Sequence, residues 1–351
     1  MTLKTGTFET ERAYGELLPH FQERLKRDEP LARHSAFGVG GPADIWVTVG
    51  TKQELIQLVN MCAEEHWPLL VVGNGSNSLF ADAGVRGIVA RVGFSSYRIE
   101  QEGPESARLI ADAGVGWPRL AYELTTQGWG GLSFGVGIPG TLGGALVSNA
   151  GAHNQEIGEL VEWIEVLDAR GADSEEEGFA PPLILRYQHD ELDLSYRSSR
   201  LRARRLSSFD EAGQVQAALR RLIEPPEMVL QLELRLQRAE PGQLRTLLNS
   251  YRQQRRATEP LYPRRGSVFQ DLPEEQASLL LAHVGMAGRT AGEGQMAIDN
   301  PNYLVNLGGA RASDMAALIE EAHAGVLERF GLDLRLDVEL LGEWKERGEQ
   351  P

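Results

Sequence analysis

Residues 135–151 read GVGIPGTLGGALVSNAG, six glycines in seventeen positions with Pro139 and Thr141 set between them. Glycine lets the backbone reach positive φ and lets a ligand come close to the main chain. Exposed N–H groups on such a loop, or at the start of a helix that follows it, form a site for phosphate. The bland alternative is a run of turns or a flexible linker. Linkers tend to be rich in serine and charge, however, and this run leads into the apolar residues 145–147 and then Asn149-Ala150-Gly151. It therefore reads as a packed, anion-facing loop, although the loop alone does not name the anion.

At 351 residues the chain is too long for one typical core, which predicts two or three domains. Against 35 basic side chains stand 50 acidic ones, a formal charge of −15. That balance excludes nucleic acid as a bulk partner, since neutralising its phosphates takes clustered Lys and Arg. A small phosphorylated ligand remains compatible, because a local arginine cluster can outweigh the global field. The one cysteine, Cys62, excludes an intramolecular disulfide and a cysteine-ligated metal, and its place in a helical pattern predicts a small core residue. The histidines lack metal-ligand spacing, so no metal is expected. No signal peptide and no apolar stretch of membrane-spanning length is visible, and a cytoplasmic protein with no membrane partner is expected.

Along the chain, residues 1–30 are polar, with an amphipathic pattern at 13–25. Residues 45–49 read as a strand, and Thr51 with Glu54 has capping-box spacing ahead of a helix carrying Leu55, Leu58, Val59 and Cys62. The apolar run 69–72 reads as a buried strand, and it feeds a second glycine loop, Gly73-Asn74-Gly75-Ser76-Asn77-Ser78. This loop is G-N-G-S-N-S, not the G-x-G-x-x-G of a Rossmann unit; taken alone it is a turn or a pyrophosphate site. Strands are predicted near 109–113, at 163–167 and at 228–236, with a helix carrying Trp117, Leu120, Ala121 and Leu124 between the first two. Residues 171–190 and 206–226 read as insertions. Residues 195–205, SYRSSRLRARR, form a basic cluster, which in most proteins is a solvated face. Helices are expected at 244–256, 275–284 and 313–330, the last with Ser313 as N-cap and Gly331 as its stop. A final strand at 334–341 would turn Leu334, Leu336, Val338 and Leu340 inward. Period-two alternation would then place Arg335, Asp337 and Glu339 together, facing either solvent or a cleft.

Six ordered segments carry a resemblance. HSAFGVGGPAD (34–44), VVGNGSNSLFADAGVRG (71–87) and GVGIPGTLGGALVSNAGA (135–152) resemble the three flavin-domain motifs of the UDP-N-acetylenolpyruvoylglucosamine reductase (MurB) family. SYR (195–197), GSVF (266–269) and NYLVN (302–306) resemble its later motifs. The likeness runs from about His34 to Gly342. It implies an α+β fold: a vanillyl-alcohol-oxidase/PCMH-type FAD-binding region in two lobes plus a smaller α/β substrate-binding domain. The implied division is an N-terminal extension (1–30), the FAD region (31–240), the substrate domain (241–332), and a C-terminal strand and tail (333–351) returning to the active site.

The resemblance also implies chemistry. NADPH reduces a non-covalent FAD, and the enolpyruvyl ether of UDP-N-acetylglucosamine then accepts hydride at C3 and a proton at C2. The product is UDP-N-acetylmuramate, a peptidoglycan precursor for the cell wall. Such a reaction builds enolate charge, which calls for a fixed cation, and needs a proton donor on the correct face. Arg197 matches the family arginine, Ser267 its proton-donating serine, and Asp337 stands where the family usually has glutamate. Cofactor contacts fall on Gly73, Asn74, Gly75, Ser76, Asn77 and Ser78, and on Gly137, Ile138, Pro139, Gly140, Thr141, Gly143, Gly144 and Asn149. Substrate contacts fall on Tyr196, Arg265, Gln295, Asn302 and Tyr303. Departures are Asp337, Gly38 (commonly arginine) and Asn300 (commonly histidine). Two alternatives stay open: another FAD-linked oxidoreductase of sugars or hydroxy acids, and a degenerate paralogue that binds without turnover. A monomer is the expected state.

Overall fold

The computed structural model describes residues 8–173, 181–202, 207–218 and 221–344. Helix α1 (Thr10–Phe21) buries Ala13, Leu17 and Phe21 against the first sheet, and Leu25–Pro30 is that sheet's edge strand. The N-terminal stretch set apart as a polar extension is thus part of the first lobe. Its apolar residues are few, but they fall on one helical face.

Five strands make this first sheet, in the order Leu25–Pro30, Pro42–Val49, Val85–Val92, Leu69–Val72, Ile223–Glu224. All neighbours are parallel except the first pair. Helix α2 (Lys52–Glu64) starts as its sequence predicts, with Thr51 Oγ1 accepting from the Glu54 N–H at 3.1 Å. The Glu54 carboxylate folds back onto the Gly50 N–H at 2.7 Å. Leu55, Leu58, Val59 and Cys62 are buried under the sheet. Burial raises the pKa of the Cys62 thiol, which makes it an inert core group.

The second lobe is an antiparallel sheet ordered Leu183–Gln188, Val161–Asp168, Glu227–Arg238, Ser106–Asp112, Tyr97–Gln101, with Trp129–Gly130 also on the long Glu227–Arg238 strand. Helix α3 (Trp117–Thr126) buries Trp117, Leu120, Ala121 and Leu124 in a core continuous with the first lobe. Part of the expected 171–190 insertion is therefore an edge strand of this sheet; residues 174–180 lie outside the described residues. In the 206–226 stretch, Ser208–Phe209 pairs with Val215–Gln216, and Ile223–Glu224 joins the first sheet. Residues 206, 219 and 220 lie outside the described residues.

Helix α4 (Leu142–Val147) forms inside the glycine-rich run, with Thr141 accepting from the Gly144 N–H. Helix α5 (Pro241–Thr258) packs on α3 and on the turn Ser133–Gly135. It packs with the first two lobes, so the boundary placed at 241 moves to the end of α5.

The third lobe pairs an antiparallel sheet, Arg265–Ser267, Tyr303–Asn306, Gly294–Met296, Thr290–Ala291, with helices α6 (Ala277–His283) and α7 (Ala312–Phe330). The N-cap of α7 is Arg311, not Ser313, and the first-turn N–H groups of Ala312 and Ser313 donate to Asp82 of the first lobe at 2.8 and 3.0 Å. A carboxylate from another lobe thus does what a local cap would do. Gly331 ends the helix at φ 67°. Leu334, Leu336, Val338 and Leu340 join this lobe's core, as their alternation predicts. Only Glu339–Leu341 is a regular strand, however, and it pairs in parallel with Ser78–Phe80 at the end of the first glycine loop. The C-terminal segment therefore ties the third lobe to the first.

Candidate active site

One cleft of about 410 Å³ collects residues from all three lobes. Both glycine loops line it: Gly73 to Ser78 from one side, and Gly137 to Thr141 with Gly143 and Gly144 from the other. The loops interlock. A Cβ on Gly75, which sits at φ 62°, would collide with the His34 carbonyl oxygen, and one on Gly140 would lie 2.8 Å from Ser76 Oγ. Glycine at 75 lets main chain meet main chain, and glycine at 140 makes room for the Ser76 side chain of the other loop. No described residue accepts a hydrogen bond from the backbone N–H groups of Asn74 through Asn77. Those donors remain available to an anionic group in the cleft, the chemistry a pyrophosphate requires.

Arg197, Ser267, Tyr303, Arg265 and Asp337 line the same space. Arg197 sits in a tight turn closed by reciprocal bonds between Ser195 and Ser198, at φ 53°, a conformation uncommon for a side-chain-bearing residue. Its Nε lies 3.6 Å from Asp337 Oδ2, and that carboxylate raises the arginine's pKa, so the cation persists. Ser267 ends the strand Arg265–Ser267, registered against Tyr303, and its hydroxyl bonds no other described residue. The next residue, Val268, accepts from the Asp337 N–H at 2.7 Å, which brings the serine strand and the C-terminal carboxylate side by side.

Asp337 is buried, so the alternative of a solvent-facing carboxylate is excluded. A bend after Leu336 breaks the strand and turns residue 337 into the cleft, while Glu339 also lines it. Asn77, expected at the cofactor, lends its amide to the Asp337 carbonyl at 2.6 Å.

Three other expected contacts are redirected. Asn149 does not line the cleft; its amide holds Ser195 O at 2.9 Å, the Glu156 carboxylate at 2.6 Å and the Gly158 N–H at 3.0 Å. It anchors the turn that carries Arg197. Asn302 brackets the backbone of Phe269, accepting from its N–H and donating to its carbonyl, both at 2.9 Å, and so holds the GSVF strand in place. Gln295 lies on the inner strand Gly294–Met296 and donates to Gly288 O, away from the cleft. Tyr196 is half exposed and accepts from the Asp271 N–H at 3.3 Å. Across Gly38, where the family commonly has arginine, lies the side chain of Arg264. Asn300, in the place of a common histidine, donates to Thr258 O and accepts from the Asn302 N–H.

Sequence reasoning missed Arg202, Arg255 and Glu259. Arg202 is completely buried and bonded to Asp337, although it lies in the run read as a solvated basic face. Glu259 in the cleft is held between Arg255 and Arg265. Burial and Glu259 push the Tyr303 hydroxyl up to about 12, which keeps it protonated through the neutral range. The signal for Arg202 and Arg255 was charge density, which marks a patch without saying which member turns inward.

Comparisons with known proteins agree with this geometry. Residues 43–172, spanning both glycine loops, match the family model described as an FAD binding domain. Residues 257–341 match the C-terminal domain of UDP-N-acetylenolpyruvoylglucosamine reductase. The UDP-N-acetylenolpyruvoylglucosamine reductase of Anaeromyxobacter dehalogenans is 36% identical, over 91% of this chain and 86% of that protein. The reductase 2 of Symbiobacterium thermophilum is 33% identical, over 91% and 92%. The crystal structure of the Thermus caldophilus enzyme superposes with a TM-score of 0.68 at 27% identity, covering 90% of this chain and 98% of that one.

Proposed function

Because the chain belongs to the UDP-N-acetylenolpyruvoylglucosamine reductase family, we propose that it reduces UDP-N-acetylglucosamine enolpyruvate to UDP-N-acetylmuramate with FAD and NADPH. The observation that carries this reading is a single cleft in which two glycine loops face Arg197, Ser267 and Asp337. The interlocked loops and the available N–H groups of 74–77 fit the pyrophosphate of FAD. When bound, FAD supplies the hydride taken from NADPH. The cofactor is held without a covalent bond: Cys62 is buried in α2, and His153 stacks on Tyr251 outside the cleft lining.

The protein's own residues supply the rest. Arg197, kept cationic by Asp337, faces the carboxylate of the enolpyruvyl group and stabilises the enolate charge that develops there. Its planar fork suits a carboxylate better than an ammonium would. Ser267 delivers the proton to C2, with Tyr303 a neutral hydrogen-bond donor across the cleft. Arg255 and Arg265 add positive charge at the same mouth, matched to a nucleotide diphosphate. Among the described residues no helix is long and apolar enough to cross a membrane and no cluster fits a metal ion. We take the enzyme to act as a cytoplasmic monomer, where NADPH is the available reductant.

The test is anaerobic. NADPH should bleach the flavin of the purified yellow protein, and adding UDP-N-acetylglucosamine enolpyruvate should restore the oxidised band with UDP-N-acetylmuramate formed. A protein that purifies without flavin and takes up none, or a reduced flavin that the enolpyruvyl substrate leaves bleached, would refute the reading.

A further inference from the structure

We propose that Arg202 is a positioning residue that sets Arg197 and Asp337 relative to each other for the enolate step, an inference that rests on the reductase reading above. Its side chain is fully buried, an expensive place for a guanidinium, and its hydrogen bonds run through the two terminal nitrogens, Nε having no partner among the described residues. All three of its acceptors belong to two charged residues that line the cleft, Arg197 and Asp337, and two of the three are backbone carbonyls. One terminal nitrogen donates to the Arg197 carbonyl at 2.7 Å and to Asp337 Oδ1 at 3.0 Å, and the other donates to the Asp337 carbonyl.

The geometry has two consequences. Asp337 Oδ1 is fixed from behind by Arg202, which leaves Oδ2 turned toward Arg197 Nε at 3.6 Å. The Arg197 backbone, in its uncommon positive-φ turn, is held at its carbonyl by the same guanidinium. Two arginines share one carboxylate, so the cluster keeps a net positive charge, the sign that an enolate requires.

The short reach of aspartate is matched to this arrangement. Arg202 comes from within the protein to meet a carboxylate lying close to its own main chain. Lengthening the carboxylate by one methylene would push it into Arg202 or past Arg197. Restoring the family glutamate should therefore harm this enzyme, unless the arm of residue 202 is shortened with it.

The experiment compares wild type, Arg202→Met, Arg202→Lys, Asp337→Glu and the double variant Arg202→Lys/Asp337→Glu as FAD-loaded full-length proteins. Rapid mixing follows flavin reduction by NADPH and reoxidation by UDP-N-acetylglucosamine enolpyruvate separately. Calorimetry gives the affinity for UDP-N-acetylmuramate. Expected for Arg202→Met is unchanged flavin reduction, reoxidation slowed by roughly 100-fold, the penalty of an ~1 Å misplacement, and weaker product binding. Arg202→Lys should fold and lose less, which covers the case in which the methionine variant does not fold. Asp337→Glu alone should slow reoxidation about tenfold or more, with partial recovery in the double variant. Reoxidation within about threefold of wild type in both Arg202 variants, against the roughly 100-fold expected of a misplacement, would overturn the proposal. So would a loss shared equally by flavin reduction, the mark of general damage, or an Asp337→Glu enzyme as fast as wild type. If wild type itself is not reoxidised by the substrate, the reductase reading fails first and takes this proposal with it, an outcome distinct from an effect confined to the variants.

Discussion

Asn149 donates a hydrogen bond to the Ser195 carbonyl over 2.9 Å, joining the end of the second glycine loop to the turn that presents Arg197. The second glycine loop and the turn of Arg197 are thereby parts of one hydrogen-bonded network, with Ser199 Oγ adding a second tie to Val147 O at 2.7 Å. Movement of the loop is movement of the arginine.

Asn149→Ala removes that tie and leaves the buried Gly158 N–H without its acceptor, while the Ser195 carbonyl keeps only the Ser198 N–H. Unpaired buried groups of this kind cost about 1–3 kcal/mol. The positive φ of 42° at this position suits asparagine better than alanine and adds to the loss. The variant should unfold at lower denaturant, keep its FAD, and reoxidise slowly. Loss of FAD with an intact reoxidation rate in the remaining holoenzyme would instead make Asn149 a cofactor contact.

Ser267→Ala takes away the hydroxyl assigned to protonate carbon. General acid catalysis is worth roughly 10²–10⁴-fold. Stopped-flow traces should show flavin reduction by NADPH at the wild-type rate and reoxidation slower by that factor. A variant that reoxidises at the wild-type rate would move the proton donor elsewhere in the cleft.

Gly75→Ala places a methyl group against the His34 carbonyl at a backbone angle that disfavours any side chain. Strain of about 1–3 kcal/mol at this φ comes before the collision is counted. The purified variant should contain little flavin per protein by absorbance, with folding impaired. Full FAD content would show that the first loop and the His34 segment can move apart without cost.

Tyr303 gives a pH dependence of stability with a defined sign. Its hydroxyl is pushed up to about 12 from an ordinary 10.0 because burial and Glu259 disfavour the phenolate. The unfolded chain therefore releases this proton first, and the native state loses stability as pH rises from 10 toward 12. Below that window the group contributes no slope. Denaturant midpoints across the alkaline range should fall less steeply in Tyr303→Phe than in wild type; identical slopes would show that Tyr303 ionises freely in the fold.

The amino-acid sequence by itself determined the local elements and the parts list. Apolar periodicity and capping placed α2, α3 and the Leu69–Val72 strand, and inward alternation placed Leu334, Leu336, Val338 and Leu340, because each depends on neighbours a few residues apart. The glycine loops, Arg197 and Ser267 were legible through six ordered motifs, and Asp337 through its place in the C-terminal strand where the family usually has glutamate. Only the tertiary structure decided how those parts are used. Asn149 and Asn302 are struts rather than ligand contacts, because their amides meet backbone groups brought from distant segments. Asp82 caps a helix 230 residues away. Arg202 is buried while its sequence neighbours read as a charged surface, because burial is set by what packs against a residue from elsewhere in the chain. Its partner, Asp337, lies 135 residues on, a distance that no local pattern can span.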